Sequence, residues 1–146
     1  MLKGLTRWLR AAGYDAWWAY DIEDEALIEV ARAENRILLT SDSGLMKQPP
    51  IVSNAVSALF VPRELNVSSQ VEFVFRHYGL KRLPPRCMKC GGGLAWIPKA
   101  SVRTEAPPRT YCWLDDFYRC LRCGQLFWKG THWNNILTKL DSLIEH

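Results

Sequence analysis

The sequence has no apolar run approaching the ~20 residues that a bilayer span requires, so no membrane partner is expected. Its first residues carry none of the basic stretch, apolar core and small-residue cleavage site of a secretory signal. The expected location is the cytoplasm, where thiols stay reduced and paired cysteines read as metal ligands rather than disulfides. Histidine is scarce: there are three, and only His77 lies before residue 132. The first half of the chain therefore cannot assemble a Ser-His-Asp set. Neither a P-loop pattern nor a GxGxxG fingerprint is present, which removes the phosphate-cradling and dinucleotide-binding signatures. Internal repeats and low-complexity tracts are also missing. Excess charge is small as well: the formal net charge is +4, too little to identify a polyanionic partner. Residues 1–86 carry 11 basic and 10 acidic side chains and residues 87–146 carry 8 and 5, so the excess sits mainly in the second part.

What is present is the composition of a globular protein, 48% apolar and 23% charged. "LKGLTRWLRAAG" (2–13) spaces Leu2, Leu5, Trp8, Leu9 and Ala12 as one helix face, with Gly13 placed to end it. The aromatic-rich "YDAWWAY" (14–20) predicts a strand. Residues 21–35 open with acids and place Leu27, Val30 and Ala31 on one face, a helix with a favourable negative start. "RILLT" (36–40) and "AVSALFV" (55–61) predict short buried strands. Residues 68–80 predict a helix burying Val71, Val74, Phe75 and Tyr78, capped by Ser68 or Ser69 and stopped by Gly79. Such alternation indicates an α/β layer with a parallel sheet. "KRLPPRC" (81–87) reads as a joint, beyond which cysteine pairs, glycines and aromatic strands take over, ending in an amphipathic helix over 133–146. Two modules are expected, 1–84 and 85–146.

Cys87, Cys90, Cys120 and Cys123 form two Cys-x-x-Cys pairs, each followed by glycine and separated by 29 residues. Zinc takes four tetrahedral sulfur or nitrogen ligands, and two such knuckles leading into strands describe a zinc ribbon. The interval exceeds the usual ~15–20 residues and implies a long hairpin insertion. A redox Cys-x-x-Cys opens a helix in a thioredoxin-like unit, a context absent here. With four protein sulfurs the zinc has no open position, so its role is structural. Cys112 is left over and is expected to be a small buried hydrophobe.

Chemistry is then expected in the first module, where carboxylates follow strand ends, the place where ligands collect in an open parallel sheet. Asp24 follows the first predicted strand and Asp42 follows "RILLT". Two such groups can converge on magnesium or manganese and serve phosphodiester cleavage. The same residues equally suit helix capping and turns, as do Thr40 and Ser41.

"MLKGLTRWLRAAGYDAWW", "EDEALIEVARAENRILLTSDSGL", "RCMKCGGGL" and "FYRCLRCGQLFWKGTHW" occur in the order seen in the Mut-seven C-terminal ribonuclease domain family, which the chain resembles from residue 1 to about 135. The resemblance implies a PIN-like three-layer α/β domain with a parallel sheet, a C-terminal zinc ribbon and metal-dependent cleavage of RNA. It matches Asp24 to the acid of the family's D-E-E-L helix start and Asp42 to the acid of its L-L-T-R-D strand end. Gly4, Arg7, Trp8 and Arg10 match its first helix, and Gly130, His132 and Trp133 match its G-S-H-W ending. Ser41 stands where the family has arginine, which removes one cation near the phosphate path. The family pattern also has a strand ending in a metal-binding aspartate before "ML-G". The expectation is that this sequence starts at an internal methionine of a longer protein and is inactive without that strand, whose loss would bare a sheet edge and favour a homodimer.

The expected partner is single-stranded RNA. Arg7 and Arg10 share a face away from the Leu5–Leu9 stripe, with Arg7 free for phosphate or paired with Asp15 or Asp21. Arg119, Arg122, Lys129 and His132 alternate with Tyr118, Phe127, Trp128 and Trp133, a pattern suited to stacking bases and pairing phosphates. Thr40 joins Arg7, Arg10, Arg119, Arg122, Lys129, His132 and Trp133 as an expected RNA contact. The competing expectation is a non-catalytic RNA-binding adaptor whose working part is the ribbon.

Overall fold

In the computed structural model, which describes residues 2–145, helix α1 (Lys3–Ala11) buries Leu5 and Leu9 one turn apart and turns Lys3 and Arg7 to solvent. It ends as the sequence predicts. Gly13 takes φ +97, a left-handed conformation glycine adopts without a Cβ penalty, and the Tyr14 N–H reaches back to the Leu9 carbonyl at 3.0 Å. A Cβ at Gly13 would lie 2.5 Å from that of Leu83, because residues 81–86 are laid along the end of α1. Leu83 N–H donates to the Ala12 carbonyl, Arg86 N–H to the Arg10 carbonyl, and the Tyr14 hydroxyl to the Lys81 carbonyl. The predicted joint is thus fastened to the first helix.

Helix α2 (Asp24–Ala33) carries Asp24 and Glu25 in its first turn and buries Ile28 and Ala31. The strands β1 (Leu38–Thr40) and β2 (Ala58–Phe60) pair in parallel, Leu38 opposite Ala58 and Thr40 opposite Phe60. Between them run a 3-10 turn (Leu45–Lys47) and the short α3 (Pro49–Val52). Helix α4 (Val67–Tyr78) is capped by Asn66, whose side chain accepts from the Ser69 N–H at 2.9 Å, rather than by Ser68 or Ser69; Gly79 ends it at φ +61.

The predicted strand at 14–20 does not form. That stretch is irregular and unladdered, and side chains hold it instead: Arg36 bonds the Asp15 carbonyl and carboxylate, and Arg10 bonds the Ala16 carbonyl. Among the described residues the first sheet therefore has two strands. An apolar cavity of about 520 Å³ lies beside β1, walled by Leu5 and Leu9 of α1, Leu27 and Val30 of α2, and Trp17 and Trp18.

The second part is an antiparallel sheet of β3 (Leu94–Ile97), β4 (Phe117–Cys120) and β5 (Leu126–Trp128), in that order. Its register sets Leu94 opposite Cys120 and Phe117 opposite Trp128. The long insertion between β3 and β4 folds back through a 3-10 turn (Lys99–Val102) and α5 (Pro108–Trp113), and Val102, Ala106 and Phe117 form a small core of their own. Cys112, expected to be buried, is exposed: α5 has no buried residue.

Helix α6 (Thr131–Ile144) follows the ribbon in sequence but packs on α1 and α4, where Leu140 and Leu143 enter the core of Leu5, Leu9, Val71, Val74 and Phe75. The chain is α/β, with a small parallel sheet and an antiparallel one, and among the described residues no helix is long and apolar enough to cross a membrane. Leu140 is 0% exposed. Leu140→Ala should therefore cost about 2–5 kcal/mol, read as a lower urea midpoint with unchanged slope.

Candidate metal centre and nucleic-acid cleft

The two knuckles share one local geometry. In the first, the Gly91 N–H returns to the Cys87 carbonyl at 2.7 Å and the Gly92 N–H points at the Cys90 Sγ at 3.4 Å, with Gly91 at φ +84. In the second, the Gly124 N–H returns to the Cys120 carbonyl, Gly124 takes φ +78, and the Arg122 and Cys123 N–H groups each lie 3.4 Å from the Cys120 Sγ. All four sulfurs lie within 4.8 Å of one another, with Cys87–Cys123 at 3.7 Å and Cys90–Cys120 at 3.4 Å. A tetrahedron with Zn–S bonds of ~2.3 Å has edges of about 3.8 Å. The donor set and spacing therefore fit a zinc ion. Burial, opposed by backbone N–H groups, pushes the Cys87 thiol up to about 12. Burial acts upward on Cys120 too, but the N–H groups of Cys123 and Arg122 and the neighbouring thiols outweigh it and bring that thiol down to about 6. One member is thus ready as thiolate and another must be deprotonated by the metal.

Two cations brace this centre. Arg10, expected to face RNA, is buried; its Nε donates to the Ala16 carbonyl at 2.8 Å and its Nη1 to the Met88 and Lys89 carbonyls at 3.2 Å each. It fixes the first knuckle to α1. Burial lowers its pKa, and electrostatic attraction from the cysteine pair beside it acts against that shift. Arg122 donates to the Cys90 carbonyl at 3.2 Å and ties the knuckles together. Arg119 is held by Glu105 at 2.7 Å and by the Gly124 carbonyl. Lys129 lies over the Tyr118 ring at 5.5 Å, and Trp133 stacks on Tyr118 at 5.7 Å.

Asp24 and Asp42 are both exposed, and neither enters an ion pair among the described residues. Asp24 lies just inside α2, where Glu23 takes the cap position without a side-chain bond. The Asp42 Oδ1 accepts the Gly44 N–H at 2.8 Å, the turn its position allows, and the Asp42 N–H donates to the Thr40 hydroxyl at 3.0 Å. Thr40 is itself buried. Among the described residues the four cysteines are the one group of three or more metal-ligating side chains brought together.

A cleft of about 680 Å³ opens between α1 and the ribbon. It gathers Arg7, Arg10, His132 and Trp133 from the predicted RNA contacts, and leaves Arg119, Arg122, Lys129 and Thr40 outside its walls. Arg7 makes no ion pair among the described residues, since Asp15 is taken by Arg36. Sequence reasoning missed Lys3, Trp18 and Lys89, which also line this cleft. Signals for two of them exist: Lys3 is one turn before Arg7 on the same face, and Lys89 occupies in Cys-Met-Lys-Cys the place that Arg122 holds in Cys-Leu-Arg-Cys.

The profile of the Mut7-C RNAse domain matches residues 1–140, nearly the whole chain. This protein belongs to the Mut7-C RNAse domain family. No curated protein and no solved structure matches it. In this Mut7-C chain the cysteine tetrad closes the ribbon, and the ribbon and α1 face each other across a cationic, aromatic-walled cleft.

Proposed function

We propose that this chain is a cytoplasmic, metal-dependent ribonuclease with a PIN-like α/β layer, acting on RNA phosphodiester bonds. The observation that carries the reading is the family match over residues 1–140. Magnesium is commonly held by one or two carboxylates, with water and substrate phosphate completing its shell. Asp24 and Asp42, hard oxygen donors open to solvent, suit magnesium or manganese in that way. The bound cation supplies neutralisation of charge at the phosphodiester. Arg7, exposed on α1, adds a planar phosphate contact, and Arg119, Arg122 and Lys129 extend the cationic surface of the ribbon. The zinc stays structural.

The test is the double variant Asp24→Asn and Asp42→Asn, assayed for cleavage with magnesium or manganese. Cleavage should be lost while RNA affinity, measured by fluorescence anisotropy, stays within about twofold, since the carboxylates add no attraction for phosphate. Cleavage at the parental rate would remove these residues from the reaction. Binding without cleavage in the parent itself would favour a non-catalytic RNA-binding adaptor.

A further inference from the structure

We propose that the cleft between α1 and the ribbon is a seat for unpaired RNA, in which bases lie against indole rings while Lys3, Arg7 and Lys89 meet the phosphates; this rests on the ribonuclease reading above. The first support is charge. The walls carry Lys3, Arg7, Arg10 and Lys89 and no aspartate or glutamate, although the chain as a whole has only four more cations than carboxylates. An aqueous groove lined by one sign focuses the field and draws in the opposite sign. Lys3, Arg7 and Lys89 are exposed, so three of these charges are available to a polyanion.

The second support is aromatic. Trp18, Phe127, Trp128 and Trp133 share the same walls. Every base has a π-face, so such rings hold a single strand with little dependence on sequence. In a duplex the bases are already stacked on each other and closed to side chains. An acidic peptide would use the cations but leave the rings without a matching partner.

The third support is an incomplete hydrogen-bond account. Among the described residues two buried side-chain donors find no acceptor, Trp18 Nε1 and Trp133 Nε1, and both indoles belong to this cleft. Buried donors are nearly always satisfied. A small rotation of either ring on ligand entry would offer its N–H to the base carbonyls and phosphate oxygens that RNA brings. The Lys3 ammonium, 5.3 Å from the Trp18 ring, already places a cation beside one such surface.

The cleft is built from both parts of the chain: α1 supplies one wall, the first knuckle and β5 another, and the start of α6 a third. Arg10 locks the first two together. RNA bound there is consequently gripped by the zinc-braced ribbon and the α/β layer at once.

Binding of a short fluorescein-labelled oligo-uridylate tests the seat, with the matching duplex RNA and single-stranded DNA as competitors. Lys3→Glu and Lys89→Glu, on opposite walls, should each weaken binding by about tenfold and lower the salt slope by roughly one. Trp18→Leu should weaken it about tenfold, with a smaller tryptophan quenching at saturation than the oligonucleotide causes in the parent. Lys139→Glu, exposed on α6 and outside the cleft, should bind as the parent does. Equal zinc content and melting temperature confirm that each variant is folded. Parental affinity in both lysine variants, or better competition by duplex than by single strand, overturns the seat, and tighter binding of DNA overturns its assignment to RNA. If the cleft variants lose binding but no preparation cleaves RNA, the seat stands and the nuclease reading falls. If cleavage is present and the cleft variants bind normally, the reverse holds.

Discussion

Cys120→Ser should release the zinc and unfold the ribbon. Three observations make Cys120 a ligand that cannot be replaced without loss. It is 3% exposed. Its sulfur is approached by the N–H groups of Arg122 and Cys123. It ends β4, the central strand of the sheet, opposite Leu94. The ribbon has little else to stand on, because only Val102, Ala106 and Phe117 are fully buried in its own apolar core, with partly buried neighbours such as Ile97 and Trp128 around them. Modules of about this size with small cores depend on metals or disulfides, and structural zinc contributes on the order of 10–16 kcal/mol of apparent folding energy near neutral pH. The expected readings are stoichiometric zinc in the parent, substoichiometric zinc in the variant, and loss of the cobalt-substituted charge-transfer band. Cys112→Ser, exposed on α5 and outside the tetrad, should change neither metal content nor melting. The dependence on pH has a definite sign. The Cys87 thiol, pushed up to about 12, must give up a proton to bind, so zinc affinity should rise about tenfold per pH unit for that one proton. A Cys120→Ser protein that keeps its zinc and its melting temperature would mean that the tetrad is not the metal site.

Those parts of the molecule that depend on short-range pattern were readable in the sequence. Leu5 and Leu9, Val71 with Val74 and Phe75, and Leu140 with Leu143 announce buried helix faces by spacing alone, and the structure buries them. The cysteine tetrad was equally legible, since Cys-x-x-Cys-Gly encodes a turn whose amides point at sulfur. What spacing cannot encode is the identity of the opposing surface. The amphipathic pattern of α6 shows that a face is buried, not that it crosses back to α1 and α4. Residues 14–20 have strand propensity, but propensity yields to context; here two arginines, Arg10 and Arg36, hold their carbonyls in place of a neighbouring strand. Cys112 misled for a related reason: free cysteine is usually buried, yet the α5 that carries it has no fully buried residue and rests on the core only through the partly buried Tyr111. Asp42, a proposed metal ligand, looks ordinary in the sequence, because its Oδ1 is in a turn that any aspartate there would make.

Arg10 is the sharpest case of context over pattern, and Arg10→Met should lower stability by about 3 kcal/mol, the scale set by buried acceptors left without a donor. On the polar side of α1 an arginine reads as a surface cation. Its acceptors at Met88 and Lys89 are 78 and 79 residues away and meet it only once the ribbon has docked. The fit is close: a Cβ on Gly91 would lie 3.1 Å from the Arg10 Nε. Methionine keeps most of the packing but strands three carbonyls, and with them the contact that joins knuckle to helix. For a chain of this size the melting temperature should fall by about 10 °C. Arg10→Lys should recover little, because a single ammonium cannot span the Ala16 carbonyl and the knuckle carbonyls as the forked guanidinium does. A role in positioning predicts more than lost stability. Amide exchange should accelerate at residues 88–91 before it does at β4, and oligo-uridylate affinity should fall even where zinc remains bound, since Lys89 would no longer be held against the cleft. If Arg10→Met melted like the parent, with the same exchange at 88–91, the helix and the ribbon would be joined by residues 81–86 and by α6 rather than by Arg10.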